Sequence, residues 1–399
     1  MKKVLVSAYA CEPNVGSEPG VGWNWVLKMA QQYEEVHVVT RTGDRQIDKN
    51  GKKYVRPSKA NIEAELAKMD NAGHIHFHYF DLPSKISNLE RSTAGDMLNV
   101  YLWEVLAFFF MLKRFKRKEF DLVQKVTIVS HRFPSFAWFF GKKYIHGPIA
   151  GGERYPLKLL SIFTKKNRIK ELIRYFFQMT PLFDPLIWFT YMNSDEIIAV
   201  TRESRSILPR PFQKKCIVEQ AVSADGFEGE EEVHPKKFLQ KDEPIKLLFV
   251  GRILEWKGII LILKALKRLE IPYMMNFIGA GPDQPYFEDF VKENDLNVNF
   301  LGFQPRTSLP DHYQAHDLFV FPSLRDSGGF VVLEAQANGL PVLTLNLGGP
   351  YMNVDQEKGI VIKVEKQSIL SITDQIAKGI KTYYHQLRSN APTEVSKQL

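Results

Sequence analysis

Cysteine is almost absent: Cys11 and Cys216 are the only two in 399 residues. Two cannot frame a disulfide scaffold or a Cys-rich zinc site, and the count suits a reducing compartment. Long apolar runs are scarce too, and none reaches the ~20 clean apolar residues of a membrane span. There is no Gly-Lys-Ser/Thr phosphate loop, no Gly-x-Ser-x-Gly nucleophile elbow, no short repeat and no low-complexity tract. Acidic side chains are the minority, 45 against 53 Lys and Arg, for a formal charge of +8. That surplus suits a polyanion: nucleic acid, an anionic membrane surface, or a phosphorylated substrate. Met1-Lys2-Lys3 and the apolar residues up to Cys11 mimic a short signal peptide, but Glu12-Pro13 follows at once. A first buried strand led by two lysines is the better reading.

What is present is a globular mix, 44% hydrophobic, 12% aromatic and 25% charged. At ~150 residues per domain the length predicts two or three domains. Short apolar runs bounded by turn residues alternate with helical patterns, the signature of α/β architecture. Strands are expected over 4–8, 36–40, 74–80 and 121–129, with a helix over 21–31. The second half predicts strands over 245–250, 273–278, 297–301, 317–321 and, last, 341–345, with helices over 259–269 and 330–338. A charged stretch over 224–243 reads as the linker. Two doubly wound domains facing a cleft follow, with ligands at the carboxyl ends of the strands.

The most informative segment is Phe319-Val-Phe-Pro-Ser-Leu-Arg-Asp-Ser-Gly-Gly-Phe-Val-Val-Leu-Glu334. A strand ends in a polar loop carrying Asp326, and a helix starts near Gly328–Phe330 with Glu334 about one turn inside. Free N–H groups at that helix start suit a phosphate or a sugar hydroxyl. Two carboxylates eight residues apart can accept hydrogen bonds from hydroxyls on a sugar and on a ribose. The competing reading is a capped helix, with Asp326 or Ser327 as the cap and Glu334 solvated.

Phe249-Val-Gly-Arg-Ile-Leu-Glu-Trp-Lys-Gly258 is a strand running into a loop with Arg252 and Lys257. Fixed cations can stabilise the charge that gathers on a departing diphosphate without a metal. Phe277-Ile-Gly-Ala-Gly-Pro-Asp283 gives a Gly-rich turn at Gly279 and Gly281. Gln284 stands where a dinucleotide fingerprint wants a third small residue, which weakens any nicotinamide or flavin reading. In the first half, Asn14-Val-Gly-Ser-Glu-Pro-Gly-Val-Gly-Trp23 reads as a flexible loop with Gly16, Gly20 and Gly22. Tyr144-Ile-His-Gly-Pro-Ile-Ala-Gly-Gly-Glu153 reads as a second Gly/Pro loop.

On these segments the chain resembles the retaining glycosyltransferases of family four, which have the GT-B fold of two Rossmann-like domains. The resemblance spans nearly the whole chain and is strongest over 247–350. It implies that Arg252 and Lys257 bind the donor diphosphate, that Glu334 holds the nucleotide ribose, and that Asp326 holds the donor sugar. Gly329, Phe330, Gly279, Gly281 and Gly16 would complete the nucleotide-sugar site. The two N-terminal loops look like those of a bacterial surface-polysaccharide branch. Asp326 replaces the family's first glutamate. The family histidine that faces the donor sugar has no clean counterpart either; Gln124, Lys125, His131 and His146 are the alternatives. The implied layout is an acceptor-side domain over 1–220 and a nucleotide-sugar domain over 221–374. A C-terminal helix at about 375–399 is a candidate to pack back on the first. The implied reaction is hexosyl transfer from a UDP- or GDP-linked sugar, with no metal or other cofactor. The acceptor would be a saccharide or polyprenyl-diphosphate-linked saccharide, at a cytoplasmic site and peripherally on the inner face of the plasma membrane. A non-catalytic sugar-nucleotide or glycan-binding subunit of an assembly complex is the alternative.

Other signals fit less well. His74, His76 and His78 alternate along one strand face and could bind zinc, but no nearby carboxylate or cysteine completes a site, so a half-exposed strand is expected. Cys11 and Cys216 read as packing residues. Residues 97–112 are almost wholly apolar and run into Lys113-Arg-Phe-Lys-Arg-Lys118, and a second basic-apolar stretch spans 158–191. Apolar residues beside cations describe an interfacial element for an anionic membrane. A core helix with a solvated basic end is the plainer alternative. No nucleic-acid-reading module accompanies these clusters.

Overall fold

The computed structural model describes residues 2–15, 17–47, 53–83, 93–220, 239–240 and 242–389. Gly16 and most of the expected linker lie outside the described residues. The chain divides into two compact units, Met1–Gly152 with Phe176–Val222, and Glu153–Tyr175 with Ser223–Leu399.

Unit 1 holds a seven-stranded parallel sheet. Its strands are β1 (Lys3–Ala8), β2 (Glu35–Thr40), β5 (Ile75–Tyr79), β6 (Phe120–Thr127), β7 (Gly141–Ile149), β8 (Glu196–Ala199) and β9 (Cys216–Val218), in the order β5-β2-β1-β6-β7-β8-β9. A hairpin, β3 (Asp44–Ile47) with β4 (Lys53–Arg56), stands apart from it. β1 is apolar at successive positions because both of its faces are covered. Val4, Val6 and Ala8 pack with Trp23 and Val26 of the helix Ser17–Ala30, while Leu5 packs with Trp103 of the helix Thr93–Leu112. Within that second helix, Gly95–Leu112 is long and apolar enough to cross a membrane by length and composition. Trp103, Ala107 and Met111 nevertheless face the core of unit 1, while Leu98, Phe109 and Leu112 are exposed.

Two local expectations change here. The first helix begins at Ser17, so Gly20 and Gly22 are helical rather than part of a flexible loop. Gly22 is small because the helix crosses the end of β1 closely; a Cβ there would lie 2.2 Å from the Ala10 carbonyl oxygen. The loop expected from Tyr144 to Glu153 is, as far as Ile149, the end of β7, a mostly buried strand between β6 and β8.

Unit 2 holds β10 (Ile245–Val250), β11 (Tyr273–Ile278), β12 (Val298–Phe300), β13 (Leu318–Phe321), β14 (Val342–Leu345) and β15 (Ile360–Ile362), all parallel. Their order, β12-β11-β10-β13-β14-β15, is the 3-2-1-4-5-6 arrangement of a dinucleotide-type sheet. β15 extends the sheet beyond the strand expected to be last. The helix Ile259–Leu266 has seven of its eight residues buried. The helix Ile369–Arg388 packs against it through a stripe of Ile372, Ile376, Ile380, Tyr383 and Tyr384. That C-terminal helix therefore serves the core of unit 2.

The segment Glu153–Tyr175, expected in the N-terminal domain, goes with unit 2 for a polar reason. Glu255, buried in the turn after β10, accepts hydrogen bonds from Thr164 N, Thr164 Oγ1 and Asn167 Nδ2, each at 2.6 Å. Buried Glu171 accepts from Tyr155 Oη and Arg174 Nε at 2.9 Å and pairs with Arg325 at 2.9 Å. Leu159, Leu160 and Phe163 join the same apolar core.

Candidate functional site

The strand order of unit 2 reverses between β10 and β13, so the loops leaving those two strands diverge and open a crevice at their carboxyl ends. The loop after β10 carries Arg252 and Lys257; the loop after β13 carries Asp326 and leads through Gly329 into the helix Phe330–Ala337. Topology thus brings the strongest sequence signals together. Lys257 Nζ forms an ion pair with Asp326 Oδ2, both side chains being more than four-fifths buried, and it also lies 5.1 Å from the Phe321 ring centroid. Asp326 Oδ1 accepts hydrogen bonds from Gly328 N at 3.2 Å and Gly329 N at 3.1 Å. Asp326 therefore does carry a turn-closing role, using one oxygen, while the other faces a cation. Arg252 differs: it is exposed, and among the described residues none pairs with it.

Glu334 sits one turn inside its helix, with 18% of its side chain exposed. Tyr313 Oη donates to its Oε2 at 3.1 Å, and Arg306 Nη2 reaches its Oε1 at 3.3 Å. Burial raises its pKa above the ordinary glutamate value, opposed by Arg306 and the Tyr313 hydrogen bond. Both partners favour the ionised form against that burial. Sequence reasoning missed both, since neither stands in a motif and folding alone brings them to Glu334. Phe330 opens the helix half-buried, and Gly329 turns the chain into it at φ 59°.

Gly279 and Gly281 have a packing reason to be glycine. A Cβ at Gly279 would lie 2.0 Å from the Gly251 carbonyl oxygen, and one at Gly281 would lie 2.0 Å from that of Ile253. The turn after β11 therefore buttresses the Arg252 loop, and the Ile253 N–H donates to the Ala280 carbonyl at 3.1 Å.

In unit 1 all four alternatives for the donor-facing residue are buried. Gln124 Nε2 donates to the Gly147 carbonyl at 2.8 Å, and Lys125 Nζ donates to the Ile128 carbonyl at 2.6 Å. Both ring nitrogens of His131 face carbonyls, Ala150 at 3.0 Å and Gln178 at 3.3 Å. His146 Nδ1 meets Tyr144 Oη at 2.9 Å, and burial depresses its pKa well below the usual histidine value. Burial also lowers the pKa of Lys125, against the pull of Glu104 and Glu18, and raises that of Glu104. Glu18 accepts from Val129 N at 2.9 Å and so ties the first helix to the end of β6. Both cysteines are buried, and burial pushes their thiols up, Cys216 to about 11, so neither is poised as a nucleophile.

Comparisons with known proteins bear on the fold and on the second half of the chain. Residues 230–393 match the family model described as glycosyl transferases group 1. A 41.2 kDa protein in the cps region of Klebsiella pneumoniae is 33% identical over 153 residues, 37% of this chain and 41% of that protein. A D-inositol 3-phosphate glycosyltransferase of Mycobacteroides abscessus is 33% identical over 161 residues, 38% of this chain and 36% of that enzyme. The chain thus spans less than half the length of these curated relatives. Among solved structures, the lipopolysaccharide outer core galactosyltransferase WaaB superposes with a TM-score of 0.55 at 14% identity, covering 98% of this chain and 96% of that one. Anabaena HepE in complex with UDP gives 0.54 at 13% identity, covering 99% and 92%. The chain accordingly has the GT-B glycosyltransferase fold, and within it residues 230–393, which carry every candidate of unit 2, match the group 1 glycosyl transferases.

Proposed function

We propose that this chain is a retaining glycosyltransferase that moves a hexosyl group from a UDP- or GDP-linked sugar to a saccharide or polyprenyl-diphosphate-linked saccharide. The setting is surface polysaccharide assembly: capsule, exopolysaccharide or lipopolysaccharide. The observation that carries this reading is the exposed Arg252, unpaired among the described residues, on the same loop as Lys257 at the strand-order reversal of unit 2. An exposed guanidinium at that place suits the diphosphate of a nucleotide sugar. HepE, solved with UDP, and the relative in a cps region support the donor class and the setting.

As the sugar–phosphate bond breaks, Arg252 and Lys257 take up the growing phosphate charge, so the transfer itself needs no metal. Asp326 orients the sugar hydroxyls and Glu334 the ribose. The acceptor attacks from the face the diphosphate leaves, and the leaving phosphate accepts its proton.

A thermal-shift screen over UDP, GDP and ADP and their sugars tests the donor, because a ligand that binds the native state raises its melting temperature. One diphosphate series is expected to raise it by several degrees, and transfer of the labelled sugar from that donor is then expected. Binding without transfer or hydrolysis favours the non-catalytic assembly subunit; no shift with any nucleotide defeats both readings.

The proposed location is the cytoplasmic face of an anionic membrane. The helix Lys165–Met179 supports it because its polarity is inverted. Asn167, Glu171 and Gln178 are buried, while Ile169, Leu172, Ile173, Phe176 and Phe177 are at least 49% exposed. Lys165, Lys166 and Lys170 are exposed as well. Apolar side chains facing outward among lysines match a bilayer interface with anionic headgroups. The chain is expected to float with vesicles containing about a third anionic lipid, and Ile173→Glu with Phe176→Glu to remain in the pellet fraction. Equal flotation of that variant would exclude this helix as the membrane contact.

A further inference from the structure

The alternating histidines of β5 lack a carboxylate in their own stretch of sequence, and the fold supplies one. β5 lies in parallel register with β2, His76 opposite His37 and His78 opposite Val39. Glu35 precedes His37 by two residues and so projects from the same face of β2. One ligand atom from each of Glu35, His37 and His76 lies within 4.8 Å of those of the other two. His74 is outside this group; its Nε2 faces the Ala30 carbonyl at 3.1 Å.

Two of the three side chains are already oriented by further contacts. Glu35 Oε1 is 3.0 Å from His37 Nε2, while its Oε2 pairs with Lys3 Nζ at 2.5 Å. His37 Nδ1 is 2.9 Å from His78 Nε2, which leaves Nε2 as the nitrogen turned toward Glu35. The rings of Phe115 and Phe120 meet that of His37 edge-on, at centroid distances of 5.6 and 5.3 Å. A second group that fixes a ligand's ring is how ligand spheres are built, and His78 does this for His37. His76 is exposed, so an ion has a way in from solvent.

We infer that Glu35, His37 and His76 form a binding site for a divalent transition-metal ion of the zinc type, completed by solvent. Two imidazoles and one carboxylate favour zinc, cobalt or nickel over magnesium or calcium, which prefer all-oxygen shells. A bound ion would clip the edge strand β5 to β2 within unit 1. Lys3 opposes it, since its ammonium holds the same carboxylate.

The test titrates Zn2+ into the full chain, stripped of metal, by calorimetry, and follows Co2+ binding by its visible spectrum. One ion per chain is expected, with a melting temperature that rises with Zn2+ concentration. His76→Ala and Glu35→Gln are each expected to weaken binding tenfold or more, and His74→Ala, just before the same strand, to leave it unchanged. Lys3→Met is expected to tighten binding, which a merely structural role for the cluster would not produce. Position 76 is exposed, so loss of folding is not expected there, and circular dichroism checks each variant. Absence of zinc uptake by the wild type, or equal affinity in His76→Ala and Glu35→Gln, would overturn the site.

Discussion

Replacing Arg252 and Lys257 together by alanine is expected to abolish sugar transfer, lowering kcat by about 10⁴-fold or more while the protein stays folded. Removing one preorganised charge-stabilising donor from an active site typically costs about 10²–10³ in kcat, and the proposed diphosphate assignment gives two cations to one leaving group. Their structural environments differ, which makes the single variants informative. Arg252 is exposed and pairs with nothing among the described residues, so Arg252→Ala should change stability by no more than about 0.5 kcal/mol. Any loss of turnover in that variant then belongs to catalysis. Lys257 is paired with Asp326, so Lys257→Ala also loosens the loop, at a cost of about 1.5–3 kcal/mol. Initial rates with saturating donor, alongside thermal melts, separate the two effects. Near-normal turnover in the double variant would remove the diphosphate assignment.

Much of unit 2 was legible because its chemistry is local. β10 and β11 fall on their expected residues, since each is a short apolar run cut off by glycine. Arg252, Lys257 and Asp326 read as separate loop residues; that Lys257 and Asp326 meet follows from β10 and β13 being neighbours, which a single strand does not announce. The sequence was least readable where distant partners decide. Gly147-Pro148 looks like a turn, yet it ends a strand because β6 and β8 flank it on both sides. Glu35 and His76 meet only through parallel pairing across 41 residues, from 35 to 76, and no periodicity reports that. The stretch 158–191 reads as basic and apolar, while its three polar anchors, Thr164, Asn167 and Glu171, carry no motif. Buried polar groups, together with Leu159, Leu160 and Phe163, fasten residues 153–175 to unit 2.

That dependence gives the largest expected stability effect. Glu255→Ala removes a buried carboxylate that accepts three hydrogen bonds from Thr164 and Asn167. Its own backbone N–H donates to Asp283 at 2.9 Å, and Asn167 also reaches Asp283 at 3.1 Å, so one polar cluster fastens 153–175 to the loops after β10 and β11. Hydrogen bonds to a charged acceptor contribute about 1.5–3 kcal/mol each and are not additive. The variant is expected to lose about 3–5 kcal/mol, and Glu255→Gln somewhat less because it keeps an acceptor oxygen. Hydrogen exchange locates the effect: the amides of residues 157–175 should lose protection first, while those of β1 and β6 keep theirs. Glu255 lies between Arg252 and Lys257 in sequence, so the same change should weaken donor binding through a loop that no longer holds its cations in place. Unchanged exchange at Thr164 would show that this carboxylate does not fasten the segment. Unchanged donor affinity together with lost protection would show that the diphosphate loop keeps its shape without it.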